Sequence, residues 1–88
     1  MRLDKFLKVS RIIKRRPLAK EVADQGRVKI NGHVAKASST VAIDDEIVIQ
    51  FGQKIVTIRV TDLKDTTRKE DAATLYTVLK EEQISKEN

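Results

Sequence analysis

Residues 1–32 read MRLDKFLKVSRIIKRRPLAKEVADQGRVKING, and this stretch holds the densest run of local structural signals in the chain. Lys and Arg recur every three or four residues on one face of its first part, and apolar side chains lie at helical spacing on another: Leu3, Phe6, Leu7 and Ile13. The pattern predicts a helix with a core stripe and a basic stripe. We expect it to begin near Asp4, since a carboxylate there can accept hydrogen bonds from unpaired backbone N–H groups.

A proline divides this stretch. Pro17 lacks an N–H and disfavours helical geometry in the residue before it, so residues 14–16 should form a break and a second helix should open near Pro17. The break places three consecutive cations at an elbow. Gly26 stands where a left-handed residue would end the second helix, whose predicted apolar face is Leu18, Ala19, Val22 and Ala23. Two short helices are expected to pack against each other.

Two hairpins are predicted after the helices. Residues 28–30 alternate apolar and polar side chains, and the Asn31-Gly32 pair that follows favours a two-residue turn because both positions tolerate positive φ. Farther on, residues 46–51 and 54–60 alternate in the same way on either side of a glycine turn. The intervening residues 33–40 show no periodicity and predict a connecting strand or loop.

The end of the chain predicts a third helix. Thr67 and Glu70 have the spacing of a capping box, and apolar residues follow them at helical spacing: Ala72, Leu75, Tyr76 and Leu79. From Lys80 onward the chain is mostly charged, and these last residues are expected to fray. The predicted fold is therefore α+β: one small domain with an N-terminal helix pair on a short, mostly antiparallel sheet of two hairpins, plus a C-terminal helix.

Charge is distributed unevenly along the chain. The net charge is +5, but residues 1–37 hold eleven Lys or Arg against three Asp or Glu, a net +8, whereas the other 51 residues hold seven against ten, a net −3. A basic helix pair joined to an acidic half is typical of a surface that binds a polyanion, although a basic helix that is merely solvated is the alternative. Aromatic residues are 3% of the chain, which favours folded RNA recognised by shape and phosphates over stacking on single strands.

Composition excludes several classes of protein. The 88 residues support one domain with a small core, and no apolar run approaches the roughly 20 residues that a membrane-spanning helix needs. The chain has no cysteine, which excludes disulfides and thiolate metal sites, and its N-terminus does not resemble a secretion signal. The expected location is the cytoplasm.

The candidate binding residues are the basic residues of the first 37 positions. We expect no catalytic group, metal or cofactor, because the single His33 has no patterned partner and the adjacent Asp44 and Asp45 are better explained by a solvated turn. Arginine suits bidentate contact with phosphate better than lysine does. The predicted RNA ligands are Arg2, Lys5, Lys8, Arg11, Lys14, Arg15, Arg16, Lys20, Arg27, Lys29 and Lys36.

The motifs RLDKFL and RRPLAKEVADQGRVKING, followed by V-x-x-x-D-E-I, resemble the RNA-binding domain named after ribosomal protein S4, also called the alpha-L motif. The resemblance covers about residues 1–49. It implies that the helix pair and the first hairpin grip structured RNA, chiefly through phosphates, with Arg2 and Arg16 at the family's motif positions. Two positions depart from the family: Arg15 replaces a usual Ser or Thr, and Asp44 replaces a usual Gly.

The resemblance extends to free-standing bacterial members related to the heat-shock protein 15 family. It implies an RNA-binding domain over residues 1–64, followed by the helix and tail over residues 65–88. It further implies a factor in ribosome-associated quality control, and since the chain is too short to add a catalytic domain, we expect a non-enzymatic monomer. The implied partners are ribosomal RNA of the large subunit, a stalled peptidyl-tRNA, and a protein on the same subunit that directs tailing of the nascent chain.

Three other functions remain open. The chain could be a general module for structured RNA or DNA in ribosome assembly or regulation. The helix pair could bind double-stranded DNA as a helix-turn-helix, although the second helix lacks a cluster of base-reading side chains at its start. The first helix could lie on an anionic membrane, but its apolar face would then have to leave the core.

Overall fold

Two short helices precede a five-stranded sheet in the computed structural model, which describes residues 1–65, 68 and 70–83. The elements in chain order are helix α1 at Leu3–Val9, helix α2 at Arg16–Asp24, strands β1 at Val28–Ile30, β2 at His33–Val34, β3 at Glu46–Phe51 and β4 at Lys54–Val60, a 3₁₀ turn at Ala72–Leu75, and strand β5 at Tyr76–Gln83. Helix α2 begins next to Pro17 as predicted, because proline at a helix start costs no hydrogen bond, but Arg16 belongs to the helix and not to the predicted break at residues 14–16.

The strands lie in the order β2-β1-β3-β4-β5, and all neighbours are antiparallel. Both predicted hairpins are confirmed. Asn31 and Gly32 have φ of 52° and 87°, and a two-residue turn with both φ positive matches the right-handed twist of the strands it joins. The side chain of Asn31 also holds the turn to β3, since its Oδ1 accepts a hydrogen bond from the N–H of Glu46 at 2.9 Å.

One hydrophobic core joins the helices to one face of the sheet. Its largest fully buried side chains come from α1 and from alternate positions of the central strands. They include Leu3, Phe6 and Leu7 of α1, Ile47 and Ile49 of β3, and Ile58 and Val60 of β4. Alternation in the strands therefore leaves their other face to the solvent, and the helix pair lies on one side of the sheet only.

Helix α1 is shorter than the apolar spacing predicts. It ends at Val9, and the backbone turns through a left-handed residue at Arg11, where φ is 62°. The N–H of Ile13 then donates to the carbonyl of Leu7 at 3.0 Å, so Ile13 returns to the core without belonging to the helix. The predicted face of α2 is also corrected at one position, because Leu18 is half exposed while Ala19, Val22 and Ala23 are buried.

The predicted C-terminal helix is wrong. Tyr76–Gln83 forms β5, which pairs along β4 from Tyr76 opposite Val60 to Gln83 opposite Lys54, with a register shift near Thr57. Residues 76–79 are aromatic, β-branched or leucine, and such residues also suit a strand. Hydrogen bonds to the open edge of β4 favour the strand over the helix. The expected fraying from Lys80 onward is wrong for residues 80–83, which belong to β5. Thr67 of the predicted capping box and residues 84–88 lie outside the described residues. The proposed division at residue 64 stays a prediction.

The departure at Asp44 has a structural reason. Asp44 has φ of 76°, a left-handed conformation that glycine adopts freely and that aspartate tolerates better than most residues. Its N–H donates to the carbonyl of Val60 at 2.8 Å, and that of Val60 donates to the carbonyl of Asp45 at 2.9 Å. The turn before β3 is thus retained without glycine.

Candidate nucleic-acid interface

The loop after β2 binds the start of α1 through its backbone. The N–H of Leu3 donates to the carbonyl of Ser39 at 2.7 Å, and the N–H of Asp4 donates to the carbonyl of Ala37 at 3.2 Å. Arg2 also forms an isolated antiparallel bridge with Thr40. The first N–H groups of the helix are therefore satisfied by backbone carbonyls, and the N-cap residue, Arg2, makes no side-chain cap.

The carboxylate of Asp4 is bound by two arginines rather than serving as the main helix cap. Nε of Arg2 lies 3.2 Å from its Oδ1 and Nη2 of Arg2 lies 3.3 Å from its Oδ2, while Nη2 of Arg16 lies 3.3 Å from the same Oδ1. The N–H of Lys5 donates to Oδ1 at 2.8 Å. The side chain of Asp4 is only 4% exposed, whereas those of Arg2 and Arg16 are 50% and 44% exposed. A buried anion thus holds two half-exposed cations.

Asp4 keeps its charge in this position. Burial by itself would raise the pKa of Asp4, but hydrogen bonds from Arg2 and Arg16, the charge of Arg16 and the N–H of Lys5 outweigh it and hold the pKa below its ordinary value. A buried carboxylate is stable only when it is paired and hydrogen-bonded, and Asp4 meets both conditions. At neutral pH the cluster therefore contains one negative and two positive charges.

A shallow depression beside this cluster gathers further cations. Its charged walls are Arg2 from the start of α1, Lys20 from α2 and Lys36 from the loop after β2, together with Asp24. Asp24 is partly engaged, since its Oδ1 accepts the N–H of Ala37 at 3.0 Å. Three segments that are distant in sequence thus place three cations around one concave surface.

The remaining predicted ligands are less closely gathered. Lys5 lies 3.2 Å from Asp65 in an ion pair. Arg11 occupies the left-handed turn after α1, and Arg15 precedes α2 as its N-cap residue in an extended conformation. The others are exposed side chains, and they are Lys8, Lys14, Arg27 and Lys29. The structure therefore brings together Arg2, Arg16, Lys20 and Lys36, and an RNA role for all eleven residues stays a prediction.

Sequence reasoning did not recognise Asp4 as the residue that joins the two arginines. The sequence predicts Asp4 only as the start of the first helix, whereas the structure shows both arginines on its buried carboxylate. The signal lies in the R-x-D spacing at the start of α1, which leaves Asp4 within reach of Arg2. Contact with Arg16, twelve residues away, requires the packing of α1 against α2.

Asp45 has a structural explanation. Its Oδ1 accepts a hydrogen bond from Nδ2 of Asn31 at 3.0 Å, and its Oδ2 accepts the N–H of Ala42 at 2.8 Å. The carboxylate therefore ties the first hairpin to the turn before β3. Across residues 1–65, 68 and 70–83, no three His, Cys, Asp or Glu side chains form a group that could hold a metal ion.

Comparison with known proteins identifies the family. The S4 domain model matches residues 1–47. The chain is 69% identical over 84 residues to the RQC P-site tRNA stabilizing factor of Bacillus subtilis, and the alignment covers 96% of this chain and 98% of that protein. The chain belongs to the S4-domain family of RQC P-site tRNA stabilizing factors. The factor of the same name from Halalkalibacterium halodurans is 66% identical and covers 98% of both chains.

The fold agrees with that family. The solved trimeric structure of heat shock protein 15 from Vibrio cholerae superimposes with a TM-score of 0.83 at 35% identity, over 89% of this chain and 80% of that chain. The predicted S4-type resemblance and its relation to the heat-shock protein 15 family are therefore confirmed. In the part of the chain that the structure describes, no helix is long and apolar enough to cross a membrane.

Proposed function

We propose that this protein binds structured RNA on the large ribosomal subunit and stabilises a P-site tRNA during ribosome-associated quality control. The names of its relatives support the cellular role, and their alignment with nearly the whole chain supports its transfer. The observation that carries RNA binding is the pair of half-exposed arginines on Asp4 beside the depression lined by Lys20 and Lys36.

This surface has the chemistry of a phosphate site. Guanidinium groups present several N–H donors in a fixed plane and bind phosphate oxygens in bidentate fashion, while lysine ammonium groups add positive charge that is less directional. Contacts of this kind fix the position of RNA without reading its bases. Such contacts suit a factor that must hold a folded tRNA whatever its sequence.

The proposed mechanism is binding without catalysis. The cations of the helix pair would contact phosphates of ribosomal RNA and of the peptidyl-tRNA, so that one small protein bridges the two. A tRNA held in this way would keep its position on the subunit while a partner protein on the same subunit directs tailing of the nascent chain. The protein would act in the cytoplasm as a monomer with no cofactor.

The test is co-sedimentation with large ribosomal subunits that carry peptidyl-tRNA. Arg16→Ala should weaken binding by about 1 to 3 kcal/mol, because it removes charge-assisted hydrogen bonds to phosphate, and Arg2→Ala should behave alike. Melting temperatures close to that of the parent protein establish that the binding of folded variants is being compared with the binding of the folded parent. We expect each to move from the subunit fractions toward the top of a sucrose gradient.

The matched control is Lys54→Ala. Lys54 lies at the start of β4, forms an ion pair with Glu81 and is about half exposed, so its removal deletes one positive charge outside the proposed surface. Binding should change little. The proposal is wrong if both arginine variants sediment with the subunits as well as the parent protein does. It is also wrong if the parent protein binds double-stranded DNA more tightly than structured RNA of equal length.

A further inference from the structure

We infer that Asp4 is a positioning residue that arranges Arg2 and Arg16 into a preformed clamp for one RNA phosphate. The inference rests on the proposed function and adds to it a residue that touches no RNA. A carboxylate in a phosphate-binding surface repels the ligand, and yet Asp4 lies between two of the arginines proposed to bind the phosphate.

Burial resolves the conflict. The carboxylate of Asp4 is 4% exposed and lies beneath the guanidinium groups, so a phosphate outside meets the arginines first. Both of its oxygens accept hydrogen bonds, and the Lys5 N–H satisfies it further. Asp4 therefore has no free surface with which to contact RNA directly, and any influence on binding must pass through the two arginines.

The geometry brings the two guanidinium groups together. Nε of Arg2 and Nη2 of Arg16 share Oδ1 of Asp4, at 3.2 and 3.3 Å, and so cannot be farther apart than about twice that distance. Two free cations would separate by mutual repulsion, and the anion beneath them cancels part of that repulsion. In these contacts Arg2 uses two N–H donors and Arg16 uses one, out of five on each guanidinium.

The remaining donors lie on side chains that are about half exposed. Arginine side chains lose considerable rotamer freedom when a ligand immobilises them, and this loss weakens binding. Here the loss occurs when the chain folds, because Asp4 has already fixed both guanidinium groups. A phosphate that bridges them would therefore bind to groups that need little further ordering.

The inference predicts an effect of unusual sign. Asp4→Asn removes a negative charge from a basic surface, so long-range electrostatics alone would strengthen binding to RNA. Loss of positioning predicts the opposite, a fall of about tenfold in affinity for large subunits carrying peptidyl-tRNA. The matched control is Glu21→Gln on α2, which makes the same change in charge at an exposed site and should leave affinity unchanged or slightly higher.

A second measurement observes the arginines themselves in the unmodified protein. If Asp4 holds them, the Nε–H of Arg2 and of Arg16 should have NMR order parameters well above those of the exposed Arg15 and Arg27, closer to about 0.85 than to the values below about 0.6 of flexible groups. Asp4→Asn should lower both. The order parameters of the unmodified protein remain decisive even if Asp4→Asn folds too poorly for a binding assay.

The outcomes separate the inference from the function on which it rests. If Arg16→Ala loses binding but Asp4→Asn binds as well as or better than the parent protein, the clamp is wrong and the RNA surface stands. If Arg2 and Arg16 are flexible in the free protein, the clamp is again wrong. If Arg16→Ala binds like the parent protein, the proposed surface itself is wrong.

Discussion

The helix pair and the terminal strand use opposite charges in different ways. In the helix pair, two half-exposed arginines share one buried carboxylate, Asp4. Around β5 the pairs are one to one and exposed on both sides, as in Lys54 with Glu81 and Lys80 with Glu82. Exposed pairs cancel each other's charge and contribute only about 0 to 1 kcal/mol. A cation therefore stays available to a ligand when its counter-charge is buried beneath it and is outnumbered by positive charges.

The same two regions differ in packing. Five of the seven residues of α1 are buried, whereas seven of the eight residues of β5 are exposed. Helix α1 therefore joins the core and the binding surface in one element. Strand β5 completes the sheet mainly through its backbone hydrogen bonds. Four measurements test this contrast.

The largest expected effect is on the core beneath the helix pair. Phe6→Ala should lower the free energy of unfolding by about 3 to 5 kcal/mol, because the ring is fully buried and its loss leaves a cavity. Chemical denaturation measures the change. A loss below about 1 kcal/mol would mean that α1 does not anchor the core.

The next effect is on the salt dependence of binding. If the surplus charge of residues 1–37 neutralises roughly five to eight phosphates, affinity for large subunits should fall about a hundredfold or more between roughly 50 and 200 mM salt. Lys20→Ala should reduce the slope by about one counterion, and Lys54→Ala should leave it unchanged. A flat titration, or equal effects of the two variants, would remove the distinction between the regions.

Acid should weaken the fold through Asp4. The folded-state pKa of Asp4 is lowered below its ordinary value of 3.8, so near and below that value the unfolded chain binds the proton more readily. This part of the stability is present above the unfolded pKa and is lost as the pH falls through the folded pKa. Asp4→Asn should reduce the acid-induced loss of unfolding free energy, measured by urea denaturation at neutral pH and near pH 3. An identical loss in variant and parent would contradict the buried ion cluster.

The smallest effect is expected on the terminal strand. Leu79 is 43% exposed on β5, so Leu79→Ala should change the free energy of unfolding by about 1 kcal/mol or less and leave RNA affinity intact. On the buried helical face that the sequence pattern predicts, the same substitution would cost about 2 to 5 kcal/mol. A melting experiment distinguishes the two values. A large loss would show that β5 is packed against something in solution.

Local signals in the sequence predict the elements whose geometry one or two residues decide. Pro17 marks the start of α2 because its ring removes a donor that a helix start does not need. Asn31 and Gly32 specify the first hairpin because both adopt positive φ. The motif around Arg2 and Arg16 identifies the family for the same reason, since it depends on residue types at short spacings.

Tertiary structure decided the features that depend on contacts between distant residues. The apolar residues of 72–79 satisfy a helical period, but only Ala72–Leu75 forms a helical turn, and the open edge of β4 selects the strand for Tyr76–Gln83. Arg2 and Arg16 are recognisable in the sequence as cations, but their common partner is not, because Arg16 reaches Asp4 only when α1 packs against α2. Spacing along the chain determines backbone conformation over a few residues; the position of a charge relative to a buried counter-charge depends on the whole fold.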